Sequence, residues 1–268
     1  MLDVHPPHAP THTWRDFLLH IATIVIGLLI AIGLEQSVEA LHRHHQRIDL
    51  TEQMRVEAEH NLPIIRESIA RIGVQSKYID SLLQALDSAK STGDSVAATG
   101  VLPYGGSIIY VSPSRSTWIS AQSAGRVDVL EPEQAKLYAR LDYNAAEEID
   151  SENTMYEKLK IFVGEAKRAH YDHLSTSVQH ITAAHRDDLL FSAYELQQAY
   201  STMLIRLGLL EGADEAITAG VRNLEDMYPY QNAAIAHLPL NPDMSAFYGT
   251  TSSLKYKDIP TSEPPPKH

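Results

Sequence analysis

The sequence contains no cysteine. This excludes disulfides, thiolate nucleophiles and Cys-ligated metal centres, and it leaves the compartment open, because cysteine-free chains occur in cytosol and periplasm alike. Positive charge is also scarce: 22 Lys and Arg stand against 34 Asp and Glu, a formal net charge of -12 with His neutral. No basic cluster is dense enough to offset it, so most of the surface repels a polyanion and nucleic acid is a poor candidate partner. Also missing are a phosphate loop, a Gly-x-Ser-x-Gly elbow, a His-Glu-x-x-His pair and a Gly-x-Gly-x-x-Gly fingerprint. No reaction mechanism can be argued from the residues present. The expectation is a non-enzyme with no catalytic residues and no cofactor.

What is present begins with "HIATIVIGLLIAIGLEQ", His20 to Gln36. From Phe17 to Leu34 only His20 is strongly polar, about 18 residues against the roughly 20 that cross a hydrocarbon core as a helix. His20 lies within two turns of Trp14 and Arg15, where an aromatic anchor suits the headgroup level. A cleaved signal peptide is the rival reading, with Val38-Glu39-Ala40 before a possible cut. Against it, the leading segment carries one Arg and two Asp rather than a basic region, and the stripe of Leu34, Val38, Leu41 and Ile48 continues past that site. A buried soluble helix is opposed by the absence of any polar face. A permanent anchor over residues 17–36 is therefore expected, after a Pro- and His-rich tail at 1–16. Thr23, Gly27 and Ala31 recur every fourth residue, a face along which a second helix can approach closely and the span self-associate. Arg15 lies on one side of the span and Arg43 and Arg47 on the other, a weak orienting signal that Glu35 and Glu39 dilute further. Long domains translocate largely regardless of charge, so the expected location is a bacterial inner membrane with the large C-terminal part in the periplasm.

Beyond the span, helical periodicity dominates and the expected fold class is all-α: a transmembrane helix continuing into a bundle of long, coiled-coil-like helices over 37–240. Leu50, Met54, Ala58 and Leu62 share one face. Leu62, Ile65, Ile69, Ile72, Ile79, Leu83 and Leu86 then form a seam spaced three and four apart, with Ser76 its polar member. Pro63 predicts a kink, or a new helix capped by Asn61. Residues 88–113 read as a long loop, with a hairpin around Gly105-Gly106 and "LPYGGSIIYV" as the strand-like piece. Ser112 and Pro113 predict the start of a short helix ending at Gly125. Pro132, flanked by Glu131 and Glu133, opens a long one with the stripe Tyr138, Leu141, Ala145, Ile149, Tyr156, Leu159, Val163 and Ala166. A further helix is expected from Asp187 and Asp188 to an interruption at Gly212, and a last one from Asp214 to Tyr228, stopped by Pro229. Residues 241–268 read as an extended strap and a Pro-rich tail.

Among residues that could carry chemistry, "HRHH" at His42, His44 and His45 reads as a polar collar on a helix leaving the bilayer. Glu57 and His60 have the Glu-x-x-His spacing of di-iron bundles, but such a site also needs two further Glu residues from facing helices. His170, His173, His180 and His185 suit exposed helix ends, and no metal site is expected. Trp118, with Ala121 and Gly125 beside it, reads first as a core plug against Tyr138 and Leu141. Alternatively, it walls a ligand pocket with Tyr104, Tyr110 and Arg115.

Two passages, "HIATIVIGLLIAIGLEQSVE" and "STWISAQSAGRVDVLEPEQAKLYARLDY", resemble a group of uncharacterised bacterial single-span membrane proteins with an N-terminal anchor and a helical domain carrying a Trp-x-x-Ala-x-x-x-Gly element. The resemblance covers roughly a fifth of the chain. It implies an anchor rather than a signal peptide, and it brings no activity with it. The expected partners are the lipid bilayer and either a second copy of the chain, as a homo-oligomer, or another membrane protein. The expected role is structural or protein-interaction. The alternative is a periplasmic ligand-binding or sensing domain that signals through a partner.

Overall fold

The structure is a computed structural model that describes residues 14–90, 96–98, 112–173, 175, 177 and 179–240. Residues 1–13 of the tail expected over 1–16, the hairpin around Gly105-Gly106 and the strap over 241–268 lie outside the described residues, whereas residues 14–16 of that tail are helical. Among those described, the fold is all-α: α1 (Trp14–Lys90), α2 (Ser116–Ser123), α3 (Pro132–Arg168), α4 (Ala183–Thr218) and α5 (Leu224–Ala236), with a 3-10 turn at Arg126–Val129. Two short strands, β1 (Val96–Ala98) and β2 (Gln179–Ile181), form one antiparallel ladder with Val96 opposite Ile181. "LPYGGSIIYV" itself lies outside the described residues. In β1 the available partner, more than the residues' own strand preference, selects the extended segment.

The chain divides into two compact units, Met1–Asp49 and Leu50–His268. In the first, α1 carries one stretch long and apolar enough to cross a membrane, and none of it is buried within the chain. Leu19, Ile24, Leu29 and Leu34 are each more than 60% exposed. Among the described residues, apolar side chains so disposed gain nothing from water.

In the second unit the seam of α1 is realised. Ile65, Ile72, Ile79 and Leu86, seven residues apart, are fully buried, Leu83 nearly so, and Ile69 and Leu62 are half-buried. All but Leu62 pack with Met155, Leu159 and Phe162 of α3 and with Leu189, Leu196, Met203 and Leu207 of α4. Ser76 is buried in the seam and accepts a hydrogen bond from Gln197 Nε2 at 2.9 Å. Tyr200 beside it donates to Gln75 Oε1 at 2.6 Å. α3 and α4 run antiparallel, and the ion pairs Lys158–Glu195 and Glu147–Arg206 (each 2.9 Å) lie along their common edge. α4 is buried on nearly every side, so its apolar residues are not confined to one stripe.

Several boundaries differ from the sequence expectation. Pro63 neither breaks α1 nor starts a helix. Its missing N–H leaves a carbonyl unpartnered one turn back, but the ring faces outward while Ala58, Asn61 and Ile65 on either side are buried, and that packing carries the helix through. The short helix begins at Ser116, not Ser112, although Gly125 does adopt the expected left-handed conformation (φ 65°). α4 starts at Ala183 and passes straight through Gly212 to Thr218. There Gly220 (φ 84°) ends it in a Schellman turn, in which the Val221 N–H donates to the Ala216 carbonyl at 3.0 Å. The last helix is therefore Leu224–Ala236, with Asn223 accepting from the Asp226 N–H at 2.9 Å as its cap and Pro229 inside it. Gly212 is a point of contact: a Cβ there would lie 2.4 Å from Gln231 Cα. α5 rests against the α4 backbone at that point.

Candidate functional site

Within the second unit, three helices turn matching faces to one small cavity. α1 supplies Met54, Glu57, Ala58 and Asn61, α3 supplies Tyr138, Leu141, Asp142 and Ala145, and α4 supplies Leu210 and Asp214. The first two sets share the spacing i, i+3, i+4, i+7, one stripe of a helix. Pro113, Ser114, Arg115 and Trp118 close the remaining side. The cavity is about 20 Å³, measured as the space open to the centre of a water molecule.

Trp118 is 4% exposed, with its ring edge-on to Tyr138 at a centroid distance of 6.1 Å and an interplanar angle of 63°. Both Tyr138 and Leu141 line the same cavity, so the side chain sits where a core plug would. Arg115 lies at the cavity edge with its guanidinium on Asp142, Nε to Oδ1 at 2.9 Å. Tyr104 and Tyr110, the other proposed pocket walls, lie outside the described residues. Tyr138 is held in turn by Gln134, whose Nε2 donates to its hydroxyl at 3.0 Å, and burial raises the phenol's pKa.

Arg115 is the N-cap residue of α2 and makes no side-chain capping bond. Glu57 of α1 does that work from outside the helix. Its carboxylate accepts from Ser114 Oγ at 2.5 Å, from Ser116 Oγ at 2.8 Å and from the Thr117 N–H at 3.2 Å. Burial alone would raise the Glu57 pKa, but the three donors outweigh it and hold the group below the usual carboxylate value. A full negative charge at the start of α2 also matches the helix dipole. One turn further along α1, Asn61 pairs twice with the backbone of Ser114. Its Oδ1 accepts from the N–H at 2.7 Å and its Nδ2 donates to the carbonyl at 3.1 Å. The 112–115 segment is thus stitched to α1 before α2 begins.

Asp214 is the unusual group. It is 1% exposed, and its Oδ1 has no hydrogen-bond partner. Burial pushes its pKa well above the ordinary carboxylate value. A hydrogen bond from Asn61 works against that shift, and the charge of Glu57 adds to it. The buried Trp118 Nε1 is likewise without a partner.

Glu57, Asn61, Asp142 and Asp214 were not assigned these roles by sequence. Asp214 had a readable signal: Met203, Leu207, Leu210, Asp214 and Ile217 are spaced four, three, four and three apart, so the acid falls on a core position. Taking Gly212 as a helix end hid it.

The histidines are dispersed. His42 pairs along its own helix with Gln46 at 2.9 Å, and His44 with Arg47 at 3.1 Å. His60 lies with Glu57 on an open groove whose acid is engaged by α2. His173 sits edge-on to Phe162 at 6.5 Å, and burial lowers its pKa against the opposing charge of Asp172. His180 is in β2 and His185 in α4. Among the described residues, no three His, Asp or Glu side chains gather closely enough to hold a metal. In the apolar stretch, Thr23, Gly27 and Ala31 are exposed, and a Cβ at Gly27 would meet nothing within 4 Å. Thr23 Oγ1 is turned back to donate to the Leu19 carbonyl at 2.8 Å.

No known protein family, curated protein or solved structure matches the chain.

Proposed function

We propose that this is a membrane-anchored helical-bundle protein acting as a structural or protein-interaction module. It is held in a bacterial inner membrane by a single N-terminal span, with the domain from Leu50 onward in the periplasm. Its partner is a second copy or another membrane protein, met in part through Thr23, Gly27 and Ala31. The reading agrees with the resemblance to single-span bacterial proteins carrying a Trp-x-x-Ala-x-x-x-Gly element.

The observation that carries the proposal is the apolar stretch of α1, which finds no burial within its own chain. A sequence that keeps so many Leu and Ile uncovered must cover them with lipid or protein. A ligand-sensing role is favoured less. The cavity walled by Trp118 measures about 20 Å³, whereas small-molecule sites enclose about 300 Å³ or more.

The test is photo-crosslinking of the full chain in native membranes, with a reactive residue in place of Ile30, beside the small-residue face, after an alkaline carbonate wash. The expected result is retention in the membrane pellet together with a crosslinked species of defined mass, reduced by Ala31→Leu. Release of the chain by carbonate would remove the anchor. A retained chain that crosslinks to nothing but lipid would remove the interaction role.

A further inference from the structure

We propose that the cavity under Trp118 is a built site for a single water molecule, held between the Asp214 carboxyl and the Trp118 indole N–H and joining α2 to α4. Three observations converge on it. Asp214 Oδ1 and Trp118 Nε1 are both buried, both lack a hydrogen-bond partner, and both residues line this cavity. The space, about 20 Å³ by the water-centre measure, holds one water, which needs about 10–15 Å³, and is tight for two. The groups are also chemically matched, since the indole N–H only donates and the Asp214 Oδ1 can accept, so one water satisfies both by accepting from the first and donating to the second. Leaving either group dry forfeits its hydration without return, and a bridging water restores nearly the enthalpy of a direct bond.

The surroundings argue for a neutral occupant. The charged and titratable groups facing Asp214 are Glu57 on α1, Arg115 in the 112–115 segment, and Tyr138 and Asp142 on α3. α2 contributes only the neutral indole. Arg115 is paired with Asp142, so the nearest uncompensated influence on Asp214 is the charge of Glu57, which favours the protonated acid. An anion would be repelled by Glu57, and a metal ion would meet the hydrogen of the indole N–H. An organic ligand does not fit without moving Trp118. This site is independent of the membrane role proposed above.

The chain has two tryptophans, Trp14 and Trp118, so full-length protein labelled with ¹⁵N-tryptophan in detergent micelles gives two indole signals, assigned by Trp14→Phe. The expected result is a dipolar cross-peak from the Trp118 indole proton to a long-lived water, kept in Asp214→Asn and lost in Asp214→Leu. No such cross-peak in the wild-type chain would overturn the proposal, and so would one that persists unchanged in Asp214→Leu. The wild-type measurement decides alone if the leucine variant does not fold.

Discussion

Replacing Gly212 with alanine adds one methyl group to a helix, and in an open position that substitution stabilises. Alanine is favoured over glycine in a helix interior by about 0.8–1.0 kcal/mol. At Gly212 the new Cβ would lie 2.4 Å from Gln231 Cα, 2.5 Å from Gln231 N and 2.7 Å from the Tyr230 carbonyl carbon. Carbon atoms rest about 3.5–4.0 Å apart, so α5 must retreat by about 1 Å. All three clashing atoms are main chain, and no rotamer change relieves them. Overpacking of this kind costs about 1–3 kcal/mol. The retreat also strains the bond from Gln231 Nε2 to the Leu209 carbonyl, 2.9 Å long, worth about 1 kcal/mol. The net expectation, after the helix-propensity gain is subtracted, is destabilisation by about 1–3 kcal/mol, a drop in Tm of about 2–12 °C for a domain of this size. Gly164 in α3 is the control, because a Cβ there meets nothing within 4 Å. Gly164→Ala should raise Tm by a few degrees. Thermal unfolding of the two full-length variants, followed by circular dichroism in one detergent, compares them directly. A Gly212→Ala protein as stable as the wild type, or a Gly164→Ala protein that falls alongside it, would refute the packing argument.

Glu57→Gln should lower stability at neutral pH by about 1–2 kcal/mol, the usual worth of a helix cap. The Glu57 pKa is depressed in the folded state, so its contribution is present above the unfolded value of about 4.3 and is lost as pH falls through the folded value. Denaturant unfolding from pH 3 to 7 should therefore show a shallower acid limb in the variant, and an unchanged limb would count against the cap. Asp214 has the opposite sign. Its raised folded pKa means that wild-type stability falls as pH rises above about 3.9 towards the folded value, by at most about 1.4 kcal/mol per pH unit. Asp214→Asn should remove that slope and be the more stable protein at pH 7; identical pH profiles would show that Asp214 is not buried as described.

The parts of the fold that could be read in advance are those in which one face of one helix meets one core. Ile65, Ile72, Ile79 and Leu86 announce themselves because a seven-residue repeat has no other use on a helix. Gly125 in its left-handed turn and Pro132 at a helix start are likewise local, set by backbone geometry that each residue brings with it. The failures share a different cause. Pro63, Gly212 and Pro229 are stop signals by propensity, and in each case burial of the neighbouring residues outweighs about 1–3 kcal/mol of local preference. The cavity was half legible for the same reason. Trp118 stands out in any sequence, whereas Glu57 takes its role from Ser114 and Thr117, nearly sixty residues away, and nothing in its own neighbourhood points to them.

The glycines beneath the C-terminal part of the bundle differ in what touches them, and this sets how each can be repaired. At Gly73 the obstacle to a larger residue is the ring of Pro239, whose Cγ lies 2.6 Å from the site of a Cβ. Trimming that ring to alanine removes the obstacle. At Gly212 the obstacle is the main chain of α5, which no substitution at position 230 or 231 can trim. A selection for second-site suppressors should therefore recover compensating changes at position 239 for Gly73→Ala, and should return only true revertants for Gly212→Ala.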